Sequence, residues 1–214
     1  MESITYTRNH SAKLASAECR GCGICCTGMG DSIRLDPCDV HHLTAALSLP
    51  FGALLENGTV SLVPADGLLL PYLRMNEEDA CPFLRDGICS IHAARPGICR
   101  LFPLGRDYDA DTRTFRYFLL PDACPKRREN ERIGDWIGLP RMEEYEAFVA
   151  DWHYLVKDLQ AYLAKEPSLA EALSSFVLKV FYLTPFAGSG CADPDEAFYR
   201  SYRIRAEQAR SVIS

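Results

Sequence analysis

The sequence predicts a mainly helical α+β protein, in which a loop-rich cysteine cluster with a small β-hairpin packs against C-terminal helices. Two observations support this class. Residues 140–165 place large apolar side chains at intervals of three and four, the period of an amphipathic helix. Nine of the ten cysteines fall before residue 125, among short apolar runs and turn residues. We expect a metal-binding domain over 1–125 and a helical extension over 126–214, or one domain formed by both.

The first part begins its regular structure at Asp36-Pro37, where Asp suits the N-cap of a helix and Pro suits its first position. This helix is expected to end near Leu47. The later elements of this part are a short helix over 50–57, two proline-bearing edge strands over 59–64 and 68–75, and a β-hairpin over 106–120.

Three helices are predicted for the second part. The first covers 140–165, and its aromatic stripe is typical of a buried core rather than of a ligand surface. Pro167 opens the second helix, which is expected to end near Pro185. Asp193-Pro194 starts a third helix that continues to the C-terminus. We expect these helices to supply the core that the cysteine-rich part lacks.

The overall composition and charge of the chain argue against some classes of function. A formal net charge of −6 and an isoelectric point near 5.4 argue against a nucleic-acid partner held by phosphate neutralisation. No stretch approaches the roughly 18 apolar residues of a membrane span, and no signal peptide is visible, so we expect a cytoplasmic protein without a membrane partner. In a reducing compartment, ten cysteines indicate metal ligands or catalytic groups rather than disulfides.

The densest chemical signal is a run of four thiols within eight residues, Cys19, Cys22, Cys25 and Cys26. Two-residue gaps let successive sulfurs converge on one centre, and intervening glycines permit a tight loop. The adjacent Cys25 and Cys26 are expected to point in different directions, so that one of them serves the second block of cysteines or a second centre. The run therefore predicts a metal site that is shared with other residues.

A second block contains Cys81, Cys89, Cys99 and Cys124. Eight thiols suit two zinc sites, or one four-cysteine cluster with a further site. The C-x2-C-x2-C spacing resembles the run of bacterial ferredoxins, which favours an iron–sulfur cluster of the four-iron (4Fe–4S) type over zinc. His92 follows Cys89 closely in the sequence, so it is either a further ligand of the same centre or a residue that only packs in a short helix. Cys38 and Cys191 fall outside the pattern.

These paired motifs resemble the CxxCxxCC cysteine-cluster family of YkgJ-type proteins, described as chelating zinc or iron. The resemblance covers about residues 15–125 and rests on C-x2-C-x2-CC, on CPFL-x3-GICSIH-x2-RPGICRLFP and on a final cysteine. It implies that Arg95 and Arg100 complete the signature, and such arginines can donate N–H bonds toward thiolate sulfur. It also implies a chelating set made of Cys19, Cys22, Cys25, Cys26, Cys81, Cys89, Cys99 and Cys124.

Three functions follow as hypotheses. The first is a cytosolic protein whose cysteines hold an iron–sulfur cluster, or zinc, for a structural, storage or carrier role. The second is an iron–sulfur-dependent enzyme, since the cysteine pattern is similar to that of flagellin lysine N-methylases, which use S-adenosylmethionine. The third is a small metal-folded module that binds a protein partner. No glycine-rich nucleotide motif or serine triad pattern was found to support the enzyme.

Overall fold

The computed structural model describes residues 4–15, 22–120, 123–124, 128–186 and 193–213. Cys19 and Cys191 therefore lie outside the described residues. The helices are α1 Pro37–Leu47, α2 Phe51–Glu56, α3 Gly97–Leu101, α4 Ile133–Ile137, α5 Met142–Lys165, α6 Ala170–Leu178 and α7 Pro194–Val212. The strands are β1 Thr5–Tyr6, β2 Ser11–Ala15, β3 Val60–Ala65, β4 Leu68–Leu73, β5 Leu84–Arg85, β6 Ile88–Cys89, β7 Leu104–Asp109, β8 Thr114–Leu119 and β9 Arg128–Arg132. The predicted mainly helical α+β class is confirmed.

Helix α1 begins where Asp36-Pro37 predicts, because side chains at its start satisfy free backbone N–H groups. The Asp36 carboxylate accepts the Asp39 N–H at 2.8 Å, and the Asp39 carboxylate accepts the Asp36 N–H at 3.0 Å. This reciprocal capping box satisfies two backbone donors that would otherwise lack partners at the helix start. Pro37 occupies the first position, and the helix ends at Leu47 as predicted.

The sheets are small and antiparallel. The apolar runs pair with each other as a β3–β4 hairpin, and β3 is an edge, as expected. On the other side of β4, the Pro71 carbonyl accepts the Leu35 N–H and the Leu73 N–H donates to the Ile33 carbonyl, both at 2.9 Å, so β4 is not an open edge. The hairpin of β7 and β8 is confirmed, and β1 adds a third strand beside β8. The pairing of β2 with β9 was not predicted, and neither was the short helix α4 that follows β9.

The core is shared by both parts of the chain. One continuous cluster of buried side chains contains Leu43 and Leu70 from the cysteine-rich part and Leu155 and Val177 from the helices. The helix predicted from Pro167 is present, but it consists of a short 3₁₀ turn, α6 and a π-type turn over 179–183. The cysteine-rich part thus contributes its own buried side chains to this core, and the expectation that it lacks one is wrong. Among the described helices, none has both the length and the apolar character needed to cross a bilayer.

Candidate metal centre

Seven of the eight predicted ligands line one cavity of about 480 Å³, which we name the cysteine cavity. They come from five separate loops and short elements of the first 124 residues. The seven are Cys22, Cys25, Cys26, Cys81, Cys89, Cys99 and Cys124. The eighth, Cys19, lies outside the described part of the chain. The spacing predicted that the first run shares its site with other residues, and the fold brings members of both blocks to the same cavity.

The first cysteine loop is held against the segment before Cys81 by backbone hydrogen bonds. The Cys81 N–H donates to the Cys26 carbonyl at 2.7 Å, and the Gly28 N–H donates to the Asp79 carbonyl at 2.8 Å. The Asp79 side chain also accepts the Gly30 N–H at 2.8 Å. The two blocks are therefore joined by main-chain contacts that do not depend on the thiols.

Gly23 lets the first loop reach the hairpin formed by β5 and β6. Its φ of 65° is left-handed, a conformation that residues with a side chain rarely adopt. A Cβ there would lie 3.3 Å from the Gly87 carbonyl oxygen and 3.3 Å from a methyl carbon of Leu84. Cys89 is paired with Leu84 across the hairpin. This close approach places Cys89 beside the loop of Cys22, Cys25 and Cys26.

Cys99 is positioned by a buried carboxylate on another helix. It lies in α3, whose first residue is Gly97, and the Gly97 N–H donates to the Asp39 carboxylate at 2.7 Å. Asp39 is only 6% exposed, and burial raises its pKa well above the usual value. The carboxylate that completes the capping box of α1 therefore also fixes the start of the helix that carries Cys99.

Cys25 and Cys26 contact each other, which contradicts the expectation that their side chains diverge. A tight 3₁₀ turn over Ile24–Cys26 carries both residues along the same cavity wall, an arrangement that a strand or an α-helix would not give. A hydrogen bond from the Cys26 thiol, together with the nearby Arg95 charge, lowers the pKa of Cys25 to about 6, despite the opposing effect of burial. The same contact and burial raise the pKa of Cys26. The pair thus favours one thiolate and one thiol.

The pKa shifts of Cys81 and Cys99 show which thiols lie near each other. Burial raises the pKa of Cys81, and the negative charges of Cys89 and Cys25 add to the effect. Burial likewise raises the pKa of Cys99, with Asp39 and the same thiols contributing. A cation would reverse these effects, because it favours the thiolate form of each ligand. As placed, no three histidine, cysteine, aspartate or glutamate side chains of the described ranges converge enough to hold an ion.

Two buried N–H donors on the cavity wall find no acceptor among the described residues. Nε of Arg95 and Nε1 of Trp136 are buried, and neither has a hydrogen-bond partner among the described residues. A buried donor without an acceptor is costly, and thiolate or inorganic sulfide would satisfy it. The donor set of the cavity therefore fits a sulfur-rich, negatively charged group. Trp136 was missed from the sequence because a single tryptophan outside the motifs gives no signal.

The other candidates occupy different positions. Arg100 is buried and donates to the Ala93 carbonyl, and it does not line the cysteine cavity. The interaction of Arg100 with thiolate stays a prediction, whereas Arg95 has the placement that such a role requires. His92 lies on the cavity wall and contacts an Arg95 nitrogen at 2.9 Å through its Nε2. Its position leaves both the ligand and the packing interpretations open.

Cys38 lies in the core on α1. It is 2% exposed, and its sulfur lies 3.9 Å from Nδ1 of His42, whose Nε2 contacts the Asp195 carboxylate at 3.0 Å. The order of thiol, imidazole and carboxylate resembles a nucleophile triad. Burial and neighbouring carboxylates raise the pKa of this thiol well above its usual value, which disfavours the thiolate that such chemistry needs. Cys38 has the properties of a packing residue.

Comparison with known proteins agrees with the chemistry of the cavity. The model of the CxxCxxCC family, described as "Putative zinc- or iron-chelating domain", matches residues 18–125. The matched range covers half of the chain and contains all eight cysteines of the two blocks. No curated protein and no solved structure matched the chain.

Proposed function

The chain belongs to the CxxCxxCC family, and from this premise we propose that its cysteine cavity holds an iron–sulfur cluster of the 4Fe–4S type. The observation that carries a sulfur-ligated metal group is the joint placement around one cavity of seven thiols and of two buried N–H donors for which the described residues supply no acceptor. Zinc held by four thiolates would also offer acceptors to these donors, so the preference for a cluster rests on the C-x2-C-x2-C spacing, which resembles that of bacterial ferredoxins. Inorganic sulfide and thiolate together offer acceptors to both donors.

The residues have distinct parts in this proposal. Thiolates from the two blocks would ligate the cluster, and the lowered pKa of Cys25 favours its thiolate form at neutral pH. The guanidinium of Arg95 would offset thiolate charge and donate through Nε, while Trp136 would donate through its indole N–H. Such a cluster supplies one-electron transfer, or binds and orients a further ligand. Ligation requires deprotonated thiols held around one centre, so metal binding at such a site is coupled to folding.

The test is anaerobic purification followed by iron, zinc and acid-labile sulfide analysis, with visible absorption spectra. We expect a brown protein with iron and sulfide in equal amounts. Cys22→Ser should lose most of the metal, whereas Cys191→Ser, which lies outside both blocks, should retain it. A colourless protein with stoichiometric zinc would refute the cluster. Equal metal content in both variants would refute the ligand assignment.

The enzymatic alternative is separate from the type of metal. Its basis is the similarity in cysteine pattern to flagellin lysine N-methylases, and it stays a prediction. Binding of S-adenosylmethionine to the anaerobic, metal-loaded protein would favour it. The cytoplasmic location and a protein partner or substrate are likewise proposals.

A further inference from the structure

A second cavity adjoins the cysteine cavity and shares a wall with it. Its volume is about 460 Å³, within the size range of small-molecule sites. Cys25 and Cys99 line both cavities, so a molecule in the second would lie beside thiols of the first. We name it the arginine cavity, after Arg34 and Arg106 in its lining.

Both guanidinium groups have unused hydrogen-bonding capacity. Within the described residues, the Arg34 side chain makes no hydrogen bond or ion pair. Arg106 donates to the Tyr145 hydroxyl at 2.9 Å and lies beside the Tyr108 hydroxyl. Its Nε is buried and has no partner in the described part of the chain. A buried guanidinium nitrogen without an acceptor is costly and indicates a place for an anionic oxygen.

The two carboxylates of the arginine cavity are already committed to the backbone. Asp36 accepts the Asp39 N–H, and Asp39 accepts the N–H groups of Asp36 and Gly97, at 2.7–3.0 Å. They therefore leave the guanidinium nitrogens available, yet their proximity opposes a ligand of high negative charge. A singly charged carboxylate suits this balance better than a phosphate dianion.

The rest of the lining is apolar and aromatic. Trp152, Val149 and Leu104 are buried and face the cavity. His153 stacks on Tyr108 with ring centroids 3.6 Å apart, and burial lowers the pKa of this histidine to about 4, so it is neutral at pH 7. These walls suit a hydrocarbon or aromatic body attached to the anionic group.

We propose that the arginine cavity binds a small organic carboxylate, with its anionic group on Arg34 and Arg106 and its apolar body beside Cys25 and Cys99. The guanidinium fork matches the two oxygens of a carboxylate. The proposal gives the protein a small-molecule site next to the metal centre. It holds for either zinc or iron, because Arg34 and Arg106, which bind the anionic group, lie outside the ligand set.

Isothermal titration calorimetry of the metal-loaded protein under anaerobic conditions tests the proposal with 3-phenylpropionate as the probe. The neutral 3-phenylpropionamide has the same body without the charge, and inorganic phosphate has the charge without the body. We expect the acid to bind at least tenfold more tightly than the amide, and phosphate to fail to compete. Equal affinity for acid and amide, or competition by phosphate, would overturn the proposal.

Variants identify the site. Arg34→Gln should weaken binding of the acid by about tenfold or more, and Arg34→Lys should retain part of the affinity, because it keeps the charge without the fork. Arg116→Gln is the matched control, since Arg116 is exposed on β8 and does not line the cavity. Unchanged affinity in Arg34→Gln, or an equal loss in Arg116→Gln, would refute the site. Because metal content is measured separately, failure here is distinguishable from failure of the proposed cluster.

Discussion

Replacing Gly97 with alanine tests whether the helix that carries Cys99 depends on close packing against α5. A Cβ at this position would lie against the Tyr145 hydroxyl oxygen, well inside van der Waals contact, and 3.4 Å from the carbon that bears it. Tyr145 is 1% exposed, and its hydroxyl accepts a hydrogen bond from Arg106. The ring therefore has little room to retreat, and its movement would disturb that bond.

The expected cost follows from this geometry. Overpacking of a core by one methyl group costs about 1–3 kcal/mol. With a urea m-value on the order of 2 kcal/mol/M, a loss of about 2 kcal/mol lowers the unfolding midpoint by about 1 M. Gly52→Ala is the matched control, because Gly52 is also near the start of a helix and a Cβ there would meet nothing within 4 Å. The control should be neutral or stabilising, by up to about 1 kcal/mol.

Urea unfolding followed by far-ultraviolet circular dichroism measures both midpoints on the same protein preparation. The reasoning is refuted if Gly97→Ala unfolds at the same urea concentration as Gly52→Ala, because Tyr145 would then have room to move. A second readout is metal content, which should fall in Gly97→Ala if the position of Cys99 depends on this contact.

Two further predictions concern the aromatic residues near the cavities. The pKa of His153 is about 4 in the folded protein and near 6.5 in an unfolded chain, so protonation of the unfolded chain should cost stability as the pH falls from about 6.5 to 4. His153→Phe preserves the stack on Tyr108 and should lose less stability over that range in urea unfolding; identical pH profiles would contradict the assignment. Trp136→Phe removes one N–H donor and should lower the midpoint potential of the proposed cluster in a redox titration, because hydrogen bonds to sulfur stabilise the reduced state. An unchanged potential would show that the indole does not contact the cluster.

Patterns within short stretches of sequence predicted the helices well. Most of the elements that the sequence did not predict depend on pairing between distant segments. The cap at Asp36 and the period of residues 142–165 are written in short stretches of sequence, so α1 and α5 were found nearly to their ends. The ladder between β2 and β9 joins segments more than 100 residues apart. Strand β9 also reads as a charged run, Arg-Glu-Asn-Glu-Arg, with no apolar alternation to mark it.

The site was predicted only in part, because some of its residues form local sequence patterns and others do not. Cysteine spacing marked seven thiols that the structure places at one cavity, and their role as metal ligands stays a prediction. It did not reveal how Cys25 and Cys26 share a wall, since that depends on the backbone of a tight turn. The positions of Trp136 and Arg106 depend on tertiary packing, and neither belongs to a motif. Residues that affect the site only through their position in the fold form no pattern that a single sequence shows.

The hydrogen bond between the Cys81 N–H and the Cys26 carbonyl has a thermodynamic consequence for metal binding. It closes a loop of about 55 residues, and the entropy of such a closure is worth about 3.5 kcal/mol from the logarithmic length dependence alone. Main-chain pairing between the two blocks offsets part of this cost. The free energy of the metal–thiolate bonds therefore goes less toward joining the two segments and more toward deprotonating the thiols.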